Sequence, residues 1–164
     1  METVTVTRSD GTDSIYDSTM PEELFEADPL KVEVETWGPK KKYETTLVTP
    51  FAGKNYCLKQ YLNGLSHLPT KDMAAIWYDN SNDYKFHNKL KKLGRSLFGK
   101  FKLLTDHTPH QTIDCTSDYA KISWRCHQVY RTIQEHLNGS PYTFVIEDDV
   151  VVPKHGYGKL MEII

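Results

Sequence analysis

The sequence predicts an α/β fold: a three-layer α/β/α sandwich with helices packed on a mostly parallel sheet. Three observations predict it. From Tyr43 onward, short β-branched and apolar runs alternate with segments whose apolar residues recur at helical spacing. Each helical segment carries one apolar stripe, the pattern of a helix that covers another layer. The resulting order, βαβαβαβ, supplies the long crossovers that parallel strands require.

The elements follow in order. Residues 44–49 are β-rich and are expected to stop at Pro50. Leu58, Tyr61, Leu62, Leu65 and Leu68 then mark a helix face. Residues 73–78 form an apolar strand that ends in Asp79-Asn80-Ser81-Asn82, which is turn chemistry. Phe86, Leu90, Leu93 and Leu97 define a second helix. Its other face, with Lys89, Lys91, Lys92 and Arg95, is expected to be solvated. A brief strand occupies 102–105, and an irregular loop through Pro109 leads to a third helix. That helix aligns Ile122, Cys126, Val129, Tyr130, Ile133 and Leu137 on one face. Asn138-Gly139-Ser140-Pro141 closes it before a fourth strand at 143–146.

Residues 1–43 read differently. Alternating β-branched and polar residues at 3–7 and 31–36 suggest half-exposed strands. Between them lie Pro21, Pro29 and the acids Glu22, Glu23, Glu26 and Asp28. This segment is expected to be an N-terminal extension or edge hairpin, partly mobile, with 44–164 as the ligand-binding domain.

Composition excludes several classes. With 164 residues the chain is about one domain, and 38% apolar content is ordinary for a globular one. A formal charge of −2 gives no general attraction to nucleic acid or anionic membrane. No apolar run approaches the roughly 18 residues of a membrane span, and the N-terminus lacks a secretory pattern. Cys57, Cys115 and Cys126 are widely spaced and form no CxxC, so reduced thiols and a cytoplasmic location are expected.

Ligands of open α/β sheets gather beyond the carboxyl ends of the strands. Three such ends carry candidate residues: Thr49-Pro50-Phe51, Asp79-Asn80 and Glu147-Asp148-Asp149. The acidic triplet is the most informative, because adjacent carboxylates between apolar runs need a positive partner. Mg²⁺ or Mn²⁺ suits hard oxygen ligands and can bind substrate phosphates as well. Strand alternation sends Glu147 and Asp149 to one side and Asp148 to the other. Asp79 can accept from a ribose hydroxyl or a base. Thr49, Pro50 and Phe51 offer backbone groups and an aromatic face to a base. Arg125, opposite the apolar stripe of the third helix, can pair with a diphosphate.

Other motifs are set aside. The stretch from Gly94 to Phe101 nearly spells a P-loop, but Phe101 replaces the Ser or Thr and no strand precedes it. A receiver-domain acidic pocket would end the first strand, not the fourth. Asp106, His107, His110, Asp114 and Cys115 lack the spacing of a transition-metal site and read as a polar loop. No nucleophile elbow is present.

Together, Leu47-Val-Thr-Pro-Phe51, Ile76-Trp-Tyr-Asp-Asn-Ser81, Ser123-Trp-Arg125 and Phe144-Val-Ile-Glu-Asp-Asp-Val150 resemble the nucleotide-binding half of a GT-A fold glycosyltransferase, similar to the inverting family-2 type. The resemblance covers 44–153 and implies a Rossmann-like sheet. It implies a nucleobase beside Thr49, Pro50 and Phe51, a nucleoside contact at Asp79 and a diphosphate contact at Arg125, where Cys126 replaces the family's asparagine. The DXD motif corresponds to Glu147-Asp148-Asp149, with Asp149 as the metal ligand and Glu147 and Asp148 toward the ribose or a metal-bound water. Glu147 is thereby counted with Asp149 at the Mn²⁺ or Mg²⁺ site. A UDP-sugar is the implied donor, with a GDP-sugar as the other choice. The family's acceptor half, with its general base, follows the DXD strand by many tens of residues, and this chain is expected to lack it. Leu160, Met161, Ile163 and Ile164 then await a second chain or another copy. Three rivals remain: a non-catalytic nucleotide-sugar-binding protein, a structural module, and a nucleotidyltransferase. The last needs a Gly-rich phosphate loop after the first strand, where Ala52-Gly53-Lys54 is a poor match.

Overall fold

Strand pairing divides the chain into a hairpin and a five-stranded sheet. The computed structural model describes residues 3–7, 13–17, 30, 32–107 and 118–163, with backbone alone at 3–7, 13–17, 118–125 and 127. Strands β1 (Thr3–Thr7) and β2 (Asp13–Asp17) pair antiparallel as their own two-stranded sheet. The acidic, Pro-containing stretch expected to be mobile lies outside the described residues. The main sheet contains β3 (Glu33–Trp37), β4 (Thr45–Phe51), β5 (Ala74–Asp79), β6 (Lys100–Thr105) and β7 (Tyr142–Val145). Its order is β3-β6-β5-β4-β7, parallel throughout except for the antiparallel edge strand β3. Helices α1 (Leu58–Leu65), α2 (Tyr84–Leu97), α3 (Asp118–Glu135) and α4 (Gly156–Met161), with a 3-10 turn at Thr70–Asp72, complete the described elements.

Period-two alternation divides the core into two layers. Leu47, Phe51, Ala75, Trp77, Phe101 and Leu103 pack with Leu58, Tyr61, Leu65, Phe86 and Leu90 of α1 and α2. The residues between them, Val48, Ile76, Tyr78 and Leu104, pack with Val129 and Ile133 of α3. A strand covered on both faces reads as a continuous apolar run, which is why β5 is buried at all six positions. The stripe of α3 stops short of Cys126, one turn before Val129, which is exposed.

One expectation, for the basic face of α2, changes. Strand β3 is recruited from the N-terminal segment into the main sheet, where Trp37 stacks on Phe101 with ring centroids 5.4 Å apart. The basic face of α2 is therefore only partly solvated. Lys91 pairs with Glu35, and both Lys91 and Arg95 lie over the Trp37 ring at 5.3 and 5.4 Å.

Pro50 does not end β4, which runs on to Phe51. In a strand the backbone groups of alternate residues face the same neighbour. Val48 faces β7, since its carbonyl accepts from Ile146 N at 2.9 Å. Pro50 therefore also faces β7, but the β4–β7 ladder ends at Val48 and Val145. The missing Pro50 N–H falls where no ladder bond is due, so the proline is tolerated.

Helix α2 starts where its sequence dictates, because Asp83 Oδ1 accepts from Lys85 N and Phe86 N at 2.8 and 3.2 Å. Its Gly94 is a packing residue: a Cβ there would run into the buried Phe101 ring. Among the described residues no helix is long and apolar enough to cross a membrane.

Candidate functional site

The parallel strands run β6-β5-β4-β7, so the chain leaves β4 toward β5 and later returns to its other side. The crevice between β4 and β7 is the topological switch point, where doubly wound sheets bind ligands. Both strands end there. The next residue on β4's β7-facing side is Ala52, and its N–H donates to Asp148 Oδ2 at 3.2 Å. A side-chain carboxylate thus continues the pairing that the backbone abandons at Pro50.

Glu147-Asp148-Asp149 lies just past β7 in a turn closed by Val150 N donating to Glu147 O at 3.1 Å. Asp148 is buried, whereas Glu147 and Asp149 are exposed. The turn brings Asp148 and Asp149 to one cation, the Lys54 ammonium. Lys54 Nζ donates to Asp149 Oδ2 at 2.8 Å and lies 3.6 Å from Asp148 Oδ1. The hydrogen bond from Lys54 holds the Asp149 carboxyl below the usual carboxylate range. The same bond, with the nearby charges, holds the ammonium above the usual lysine range. Glu147 instead accepts from the Tyr130 hydroxyl of α3. Burial, then that carboxylate, pushes the Tyr130 phenol up.

The Lys54 loop is held at several points. Gly53 adopts φ +75°, and a Cβ there would come within 3.2 Å of Ser81 Cβ. The Lys54 carbonyl accepts from Cys57 N at 3.0 Å, and Asn55 Oδ1 accepts from Lys89 Nζ at 2.9 Å. Cys57 and Cys126 are free thiols.

One strand away, a cavity of about 450 Å³ opens at the carboxyl ends of β5 and β6. Asp79, Thr105 and Asp106 line it from the sheet, Glu33 and Glu35 from β3, and Tyr84, His87 and Lys91 from α2. Asp79 is 2% exposed and fully oriented. Its Oδ1 accepts from Ser81 N at 3.0 Å, and its Oδ2 accepts from His87 Nδ1 at 3.2 Å. His87 Nε2 faces Glu35 Oε1 at 3.6 Å, and Glu35 holds Lys91. The result is a chain of polar contacts that ties α2, β5 and β3 together. Asp106 accepts from Tyr78 OH at 2.7 Å, while His107 lies 3.4 Å from Glu33. His110, Asp114 and Cys115 lie outside the described residues.

Of the residues singled out from sequence, Asp79, Pro50, Glu147, Asp148 and Asp149 all lie at this edge of the sheet. Thr49 and Phe51 do not present side chains to a ligand, a correction to the expected base-binding role. Both are buried, because alternation sends odd-numbered positions of β4 into the α1–α2 layer. Thr49 Oγ1 is 2.6 Å from Tyr61 OH, and the Phe51 ring is enclosed by Tyr61, Trp77 and Phe86. Strict alternation of the three acids also fails as a guide, because they form a turn and not a strand. Asp148 and Asp149 share a partner, while Glu147 turns to α3. Arg125 lies on α3, and its side chain is outside those described. Sequence reasoning missed Lys54 and the His87–Glu35 arm. Gly53-Lys54 directly after a strand was the available signal for the first.

Among the described residues, no three His, Cys, Asp or Glu side chains converge as a self-sufficient metal site. Asp148 and Asp149 do converge on one cation, the Lys54 ammonium. Two carboxylates suit Mg²⁺ or Mn²⁺ when phosphates supply further oxygens. The fold and this edge define a doubly wound α/β domain with an acidic turn at its switch point. No family model, curated protein or solved structure matches the chain.

Proposed function

We propose that the chain is a GT-A-type glycosyltransferase domain that binds a nucleotide-diphosphate sugar, with Mn²⁺ or Mg²⁺, across the carboxyl edge of its sheet. The observation that carries the reading is the position of Asp148 and Asp149 at the switch point, sharing one cation beside the loop that leaves β4. In this reading Asp148 and Asp149 hold the divalent ion, which would offset the charge growing on the diphosphate as the glycosidic bond breaks. Asp148 keeps its bond to Ala52 N and so fixes the acidic turn against the β4 loop. The cavity beside Asp79 receives the nucleoside. Asp79, held by Ser81 N and His87, has lone pairs left to accept from a ribose hydroxyl or a base N–H. His87, Glu35 and Lys91 act as positioning residues for that carboxylate.

The test is calorimetric titration of UDP and GDP into the chain with Mn²⁺ and with EDTA, beside Asp149→Ala. The expected result is metal-dependent binding that the variant loses. Equal binding in EDTA, or no nucleotide binding by the folded chain, refutes the metal–nucleotide reading. Donor hydrolysis abolished in Asp149→Ala distinguishes an enzyme from a binding protein.

A further inference from the structure

The acidic turn already has a positive partner, and that partner stands where a divalent ion would have to go. Lys54 Nζ lies 2.8 Å from Asp149 Oδ2 and 3.6 Å from Asp148 Oδ1. One ammonium against two carboxylates leaves one net negative charge. A divalent ion placed beside the ammonium would reverse that sign and force like charges together. A diphosphate arriving with the ion restores a net negative site and offers the ammonium new oxygen partners.

We propose that Lys54 is a resident counter-ion, passed from the acidic turn to the donor's diphosphate, so that divalent cation and nucleotide bind as a pair. This rests on the nucleotide-diphosphate reading given above.

Three observations carry it. The carboxylates that share Lys54 number only two, and among the described residues no third His, Cys, Asp or Glu completes a metal site. A cation there needs oxygens from another source, and phosphates supply them. The Lys54 backbone is anchored, with its carbonyl bonded to Cys57 N and its neighbour Asn55 bonded to Lys89. Its side chain, by contrast, is 36% exposed and ends on a flexible four-carbon stem. The base of the side chain is held in place, and the length of the stem gives the ammonium reach beyond the acidic turn. Asp148 is pinned independently by Ala52 N, so the acids do not follow Lys54 when it leaves.

The experiment measures free Mn²⁺ by electron paramagnetic resonance while the intact chain is titrated, alone and with UDP. Controls without protein correct for chelation by the nucleotide. Wild type is expected to bind Mn²⁺ weakly alone and markedly more tightly with UDP. Linkage requires Mn²⁺ to tighten UDP binding by the same factor. Lys54→Met removes the competing charge and is expected to tighten binding of Mn²⁺ alone by roughly tenfold, with most of the coupling lost. Lys54→Arg keeps the charge and should behave as wild type in the metal-only titration. If Lys54→Met binds Mn²⁺ alone no better than wild type, the counter-ion role is overturned. If Lys54→Met tightens Mn²⁺ but UDP changes nothing in any variant, the competition stands and the nucleotide reading fails instead. The two failures therefore leave different signatures.

Discussion

Asp148 and Asp149 are adjacent in sequence, yet their removal should have different consequences. Asp148 is 3% exposed, and its Oδ2 accepts the Ala52 N–H that would otherwise seek a partner beyond the β4–β7 ladder. A hydrogen bond to a charged acceptor contributes about 1.5–3 kcal/mol. Water can reach the exposed Ala52, which reduces the loss in Asp148→Ala to roughly 1 kcal/mol. The 3.6 Å contact with partly exposed Lys54 adds only about a few tenths of a kcal/mol. The expected destabilisation is about 1–2 kcal/mol, or a fall in melting temperature of roughly 2–8 °C for a chain of this size. Urea unfolding of wild type, Asp148→Ala, Asp148→Asn and Asp149→Ala measures it. Asp148→Asn keeps an acceptor for Ala52 and should retain most of the stability, while Asp149→Ala, at an exposed position whose ion pair is screened by solvent, should unfold close to wild type. Equal stability of Asp148→Ala and Asp149→Ala would refute the idea that Asp148 replaces the missing ladder bond.

Gly94→Ala should destabilise despite placing a better helix former in α2. The gain of about 1 kcal/mol in propensity is opposed by overpacking against Phe101, typically about 1–3 kcal/mol. Gly158→Ala, whose Cβ meets nothing within 4 Å, serves as the control, and a stabilised Gly94→Ala would show that α2 can shift freely. Burial, then the Lys102 ammonium, holds the His136 imidazole below its ordinary value of 6.5. The unfolded chain therefore binds that proton more readily, so stability declines as pH falls through and below the ordinary value. His136→Asn should reduce the loss of stability between about pH 7.5 and pH 5 in urea titrations, and an unchanged slope would contradict the assignment.

Much of the architecture was legible from local patterns. The apolar run at 73–78 marks β5 because a strand with both faces covered has little room for polar residues. Phe86 and Leu90 lie on the buried side of α2, as their spacing requires. Pro50 misled because its cost depends on which neighbour its missing N–H would face. That is a property of the pairing, not of β4 alone. Phe51 misled for a related reason: the same alternation that makes β4 a strand also turns its ring into the core.

The sequence by itself determined the α/β alternation, the continuous burial of the strand at 73–78, and the need of the acidic triplet for a positive partner. Local periodicity and charge repulsion act over a few residues and are written directly in the chain. Only the tertiary structure decided that the answering cation is Lys54, 95 residues before Asp149, and that Asp79 is held by His87. It also drew β3 to the sheet edge, bringing Glu35 to His87. These pairings depend on strand order, and the hydrophobic pattern of a strand is the same whichever neighbour it meets.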